Sequence, residues 1–143
     1  MNLLSIAITA FIVLESLNVI ILYFTPTSKK GNGVGVFNAY EKSKEIPEVH
    51  NFIKYLINWI AGTKIIFIFL LIIILFTGNS TTIFYSGIAL ILSISTFFWK
   101  LYPLIKIMDK DNQLAPKGYS RTLGLMILTF IVIFIIAVIT TIL

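Results

Sequence analysis

Residues 3–24 read LLSIAITAFIVLESLNVIILYF, and this stretch decides the fold. At about 1.5 Å of rise per residue, a helix of this length covers roughly the 30 Å of a bilayer's hydrocarbon core. Glu15 is its only charged residue. No charged side chain precedes the run, and its length is about twice that of a secretory leader's apolar region. A retained membrane helix is therefore expected, rather than a leader.

Three further stretches have the same character: 55–77, 83–102 and 122–143. Pro26 follows the first span, and Gly78 with Asn79 breaks the chain after the second. Ser80, Thr81 or Thr82 is the expected cap of the third, and Ser120 that of the fourth. Pro47 and Glu48 have the pattern of a first helical turn, so the second helix is expected to begin well before the membrane. Pro103 is expected to end or kink the third. Loops fill 25–54 and 103–121.

The composition agrees. Hydrophobic residues make up 58% of the 143 and charged residues 12%, against about 45–50% and about 25% in soluble domains. Lipid solvates such a surface where water cannot. The expected fold is all-α: one integral membrane domain, residues 1–143, of four transmembrane helices in an antiparallel bundle.

Lys and Arg set the orientation. Lys29, Lys30, Lys42, Lys44 and Lys54 lie in or beside the first loop. Lys100, Lys106, Lys110, Lys117 and Arg121 lie in or beside the third. The short second loop and both tails have none. The positive-inside rule puts both long loops in the cytoplasm and both termini outside a plasma membrane. Tyr23, Tyr55, Trp59, Trp99, Tyr102 and Tyr119 fall near the cytoplasmic boundary, where amphipathic rings collect. The net charge of +5 is thereby assigned to topogenesis and not to nucleic acid.

Candidate functional residues are few. Glu15 lies deep in the first span, where a charge costs roughly 2.5–3.5 kcal/mol on insertion scales. Asn18 shares its face one turn on. Lys64 is the one basic residue deep in a span, at a matching depth. These three form an intramembrane polar site: a titrating acid modulated by Lys64, or an ion pair that fixes helix register. His50, Lys54 and Asn58, at i, i+4 and i+8, share one face where the second helix enters the membrane. They form a vestibule or lipid contact, or a wet interfacial turn. Lys100, Lys106 and Arg121 belong to a basic collar suited to anionic lipid headgroups.

Much chemistry is excluded. There is no cysteine and one histidine, so thiolate metal sites and paired-histidine sites cannot form within one chain. Gly31, Gly33 and Gly35 follow no strand, so they read as a flexible loop and not a phosphate cradle. Asp109, Asp111 and Gln113 begin like a calcium loop, but Leu114 stands where glycine is required. No metal site, cofactor or catalytic residue is expected.

The leading reading is a structural, accessory or subunit-type membrane protein, forming a homo-oligomer or joining a membrane complex. The alternative is a proton- or cation-coupled small transporter or channel that acts as an oligomer through Glu15. An acid midway along the first of four helices resembles the small multidrug exporters, which exchange protons for cationic drugs. The two long charged loops and Lys64 depart from that pattern. A lipid-modifying enzyme using His50, Glu48 or Asp109 ranks last, since these residues show no spacing that the chemistry demands.

Overall fold

Asparagines start two of the helices. Asn2 Oδ1 accepts from the Ser5 amide at 2.8 Å, and Asn79 Oδ1 accepts from the Thr82 amide at 2.9 Å. Each satisfies a donor that the first turn leaves without an intrahelical partner. The third span is thus capped by Asn79, one residue before the expected Ser80–Thr82 set. In the computed structural model, which describes residues 2–29 and 33–143, six α-helices follow in order. They are α1 (Leu3–Phe24), α2 (Asn38–Ser43), α3 (Pro47–Thr77), α4 (Ser80–Ser95), α5 (Phe97–Lys110) and α6 (Tyr119–Ile139). No strand occurs among the described residues.

Four helical stretches are long and apolar enough to cross a membrane: α1, α3, the α4–α5 path from Ser80 to Lys110, and α6. Pro47 occupies the first turn of α3, where its missing N–H costs nothing. Residues 103–110 are helical, so Pro103 does not end the third helix; the chain runs on as an extension, expected as far as Met108 if Pro103 kinked it, and the loop expected from 103 begins only after Lys110. Pro103 lies inside α5, and the helix is interrupted earlier, at Thr96. There the Trp99 amide reaches back three residues to the Thr96 carbonyl at 3.0 Å, a tightened turn in place of the α-helical bond. α6 ends at Ile139 and not at Leu143.

The exterior is greasy, and the interior mixes large and small side chains. Phe24, Phe76 and Trp99 are largely exposed, whereas Leu4, Ala61 and Ala137 have no accessible surface. Small residues let helix backbones approach where no hydrophobic effect drives them together. α1 is central to the main core, packing against α3, α4 and α6. Its Phe11 ring meets Phe67 of α3 and Phe130 and Phe134 of α6 edge-on, with centroids 6.1, 5.8 and 5.7 Å away. Edge-to-face geometry suits the ring quadrupoles. A second, smaller cluster of Ile105, Leu114 and Leu123 sits where α5 turns into α6.

The two long loops are hydrogen-bonded to each other, which places them at the same end of the helices. The Ala115 amide donates to the Val36 carbonyl at 2.8 Å, and the Asn38 amide donates to the Gln113 carbonyl at 3.0 Å. Asn38 Nδ2 donates to the Asn112 carbonyl at 3.1 Å. Within the first loop the chain also folds back on itself, the Gly35 amide donating to the Pro26 carbonyl at 3.1 Å, and this explains the glycines that the sequence suggested were merely flexible. A Cβ on Gly35 would lie 1.9 Å from the Thr27 carbonyl oxygen, and one on Gly33 would lie 2.3 Å from that of Ser28. Both sit against backbone; Gly31 and Lys30 lie outside the described residues.

Two helical glycines are predicted to respond oppositely to substitution. A Cβ on Gly87 would meet Leu4 Cδ1 at 2.9 Å and Val138 Cγ2 at 3.0 Å. Gly87→Val is therefore expected to destabilise by about 1–3 kcal/mol through overpacking. A Cβ on Gly62 would meet only Tyr23 Oη, at 3.7 Å, so Gly62→Ala should be neutral or up to about 1 kcal/mol stabilising. Thermal unfolding in mild detergent reads both.

Candidate functional site

Glu15 lies about 13 Å along the axis from the Phe24 end of α1, counting about 1.5 Å per residue, inside any hydrocarbon layer that the helix spans. Lys64 of α3 donates its Nζ–H to Glu15 Oε2. A lysine at this depth can snorkel toward the interface at Trp59; here it turns to the acid instead. The two side chains are 27% (Lys64) and 21% (Glu15) exposed. Neither is left as an isolated charge, the arrangement that low dielectric penalises most.

The exposed part of the pair faces a cavity of about 400 Å³. Phe11 and Asn18 of α1, Thr96 and Phe97 at the α4–α5 bend, and Met126 and Phe130 of α6 line it. At its rim, Leu17 and Leu101 are exposed, so it opens sideways through the outer surface of the helices. Its lining is mainly apolar, with polar groups from Glu15 and Asn18 of α1, Lys64 of α3, Ser93 of α4 and Thr96.

Asn18 is the unusual member. It is only 7% exposed, and its Oδ1 is buried with no hydrogen-bond partner among the described residues. Six hydroxyls in the spans satisfy themselves. Thr9, Ser16, Thr63, Ser86, Ser95 and Thr129 each donate to the carbonyl four residues back. Leaving a buried acceptor unpaired costs about 1–3 kcal/mol, so Asn18 is a costly residue to keep there.

The other sequence candidates lie elsewhere. His50 fastens α2 to α3. The Ser43 hydroxyl donates to the Tyr40 carbonyl at 2.7 Å, so its oxygen accepts from His50 Nδ1 at 2.9 Å. The proton on Nδ1 is assigned from that network. The Tyr40 and His50 rings lie 5.4 Å apart. Lys54 and Asn58 are exposed on α3, and neither lines the cavity. Lys100 Nζ stands 5.5 Å from the centre of the Trp99 ring, and Lys106 Nζ 5.7 Å from that of Tyr102. Arg121 is exposed in the first turn of α6.

Asp109, which resembles the start of a calcium loop, caps α6 from a distance. Its Oδ1 accepts from the Gly118 amide at 2.9 Å. Its Oδ2 accepts from the Ser120 amide at 3.0 Å and the Ser120 hydroxyl at 2.6 Å. Ser120, expected to be the cap, is instead a helical residue held by that carboxylate. An ionised acceptor at a helix N-terminus outcompetes a serine hydroxyl. Gly118 makes the turn possible, at φ 79°. No protein-family model, curated protein or solved structure matches the chain.

The hydrogen bonds from the Ser120 hydroxyl and the Gly118 amide hold the Asp109 carboxyl below the ordinary carboxylate range. A depressed folded value means that the cap's contribution is complete above the ordinary range and is lost as pH falls through the folded one. Amide-proton NMR should show the Gly118 and Ser120 resonances titrating only below the ordinary carboxylate range. Asp109→Asn should abolish that titration; a midpoint at or above the ordinary value would contradict the capping role.

Proposed function

We propose that this chain is a non-catalytic, multi-pass protein of the plasma membrane, of structural, accessory or subunit type. In this reading the antiparallel helices carry both termini outside and both long loops in the cytoplasm. The observation that carries it is the Lys64–Glu15 ion pair: the most costly charge in the spans is matched by the one lysine of equal depth. A neutralised pair fixes the register of α1 against α3 and leaves no free acid. The mutual hydrogen bonding of the two lysine-rich segments supports a single rigid face for a membrane partner, a second copy or anionic headgroups. The split of five, zero and five basic residues supports the orientation.

A second reading has one specific observation in its favour. Glu15 is partly exposed to the cavity and not sealed by its partner. A proton or small cation reaching it there competes with Lys64, and the protein would then be a coupled transporter or channel, acting as an oligomer.

A double-mutant cycle on stability separates the two. Glu15→Gln, Lys64→Met and the double variant are unfolded in mild detergent. The accessory reading expects each single change to destabilise, with a coupling of about 0.5–3 kcal/mol between them. Purely additive effects, with Glu15→Gln as stable as the parent, would sink the register role and favour the second reading. Proton flux in liposomes, abolished by Glu15→Gln, would then establish it.

A further inference from the structure

The cavity beside the ion pair has the makings of a ligand site that register-keeping does not require. We propose that it binds one uncharged membrane-dissolved amphiphile, a long-chain or isoprenoid molecule ending in a hydroxyl, with that hydroxyl donating to Asn18 Oδ1. This goes beyond the accessory reading and is independent of it, since the pair can hold register whether or not the cavity is filled.

Four observations select this chemistry. The first is the buried Asn18 oxygen, an acceptor without a donor among the described residues; it is closed off as it stands, so the amide turns toward the cavity that its residue borders to take a ligand hydrogen. The second is charge: the charged lining residues are Glu15 and Lys64, bonded to each other, so the site offers no net charge to an ion. The third is depth. Asn18 lies about 9 Å along α1 from its Phe24 end, at about 1.5 Å per residue. That is deeper than a phosphate headgroup sits, but within reach of an uncharged hydroxyl. The fourth is shape and access. About 400 Å³ falls in the roughly 300–1,000 Å³ range of small-molecule pockets. The exposed Leu17 and Leu101 rim opens the cavity sideways, the route available to a molecule dissolved in the bilayer. Phe11, Phe97 and Phe130 then line the path of its hydrocarbon tail. Thr96 adds a second acceptor, because its hydroxyl proton is already committed to the Ser93 carbonyl at 2.6 Å.

The full chain in phosphatidylcholine nanodiscs is photolabelled with hexadecanol carrying a mid-chain diazirine. The methyl ether and the carboxylic acid of the same chain serve as comparators. The alcohol is expected to label saturably, with adducts on α1, α5 or α6, and about tenfold more efficiently than the ether, as befits one well-formed hydrogen bond. Asn18→Leu should reduce alcohol labelling to the level of the ether, while Asn58→Leu, on the exposed face of α3, should leave it unchanged. Should Asn18→Leu fail to fold, Met126→Trp, which fills the cavity without touching the amide, should abolish labelling by both. Equal labelling by alcohol and ether would mean that water suffices for Asn18 and would overturn the proposal. So would preferential labelling by the acid, adducts outside the cavity, or undiminished labelling of either variant.

Discussion

Two opposite charges drawn into a low-dielectric layer must find each other or be neutralised, and the arrangement of α1 and α3 follows from that demand. Glu15 and Lys64 satisfy it across the contact between the longest helix and the most central one. Coulomb attraction in such surroundings is strong, but so is the cost of removing each ion from water, so the net gain in stability is modest. Specificity gains more. Sliding α3 by one turn would cost about 5.4 Å of separation and leave two uncompensated charges. The nonpolar contacts around Phe11 set the fit; in the proposed register role, the pair selects among greasy alignments.

The rest of the membrane-spanning surface obeys a simpler rule. Most hydroxyls bond to their own helix, many large apolar side chains face outward, and small residues let the helices approach at particular contacts. Gly87 lets α4 approach Leu4 and Val138, while Gly124 receives the ring of Tyr102. Against that uniform background the unpaired oxygen of Asn18 stands out, and with it the cavity that it borders. A protein that only needed packing has no use for a buried amide there.

At the loop end, water is the solvent and ordinary polar chemistry returns. Val36, Asn38, Gln113 and Ala115 tie the two loops together, Asp109 caps α6, and His50 secures α2. Lys42 in α2, Lys44 just after it, and Lys110 at the end of α5 flank these hydrogen-bonded loops. The bend at Thr96 connects the two regimes, since it shapes one wall of the cavity and carries α5 on toward the loops.

The sequence by itself determined the helical class, the four spans and the residues that burial makes expensive. Each of these follows from local quantities, namely twenty or so apolar residues in a row, a proline at a first turn, or a lone Glu15 inside such a run. It also marked Asn18 and Lys64, because depth along a helix can be counted. Only the tertiary structure decided that Lys64 turns to Glu15 and not to the interface, that the Asn18 oxygen finds no partner among the described residues, and that a cavity lies beside them. It likewise assigned Asp109 to a helix cap and His50 to a clip against α2. Those outcomes depend on which residues of distant segments meet, and hydropathy carries no record of that. Spacing along the chain gives the height of a side chain in the membrane; only packing gives its neighbour.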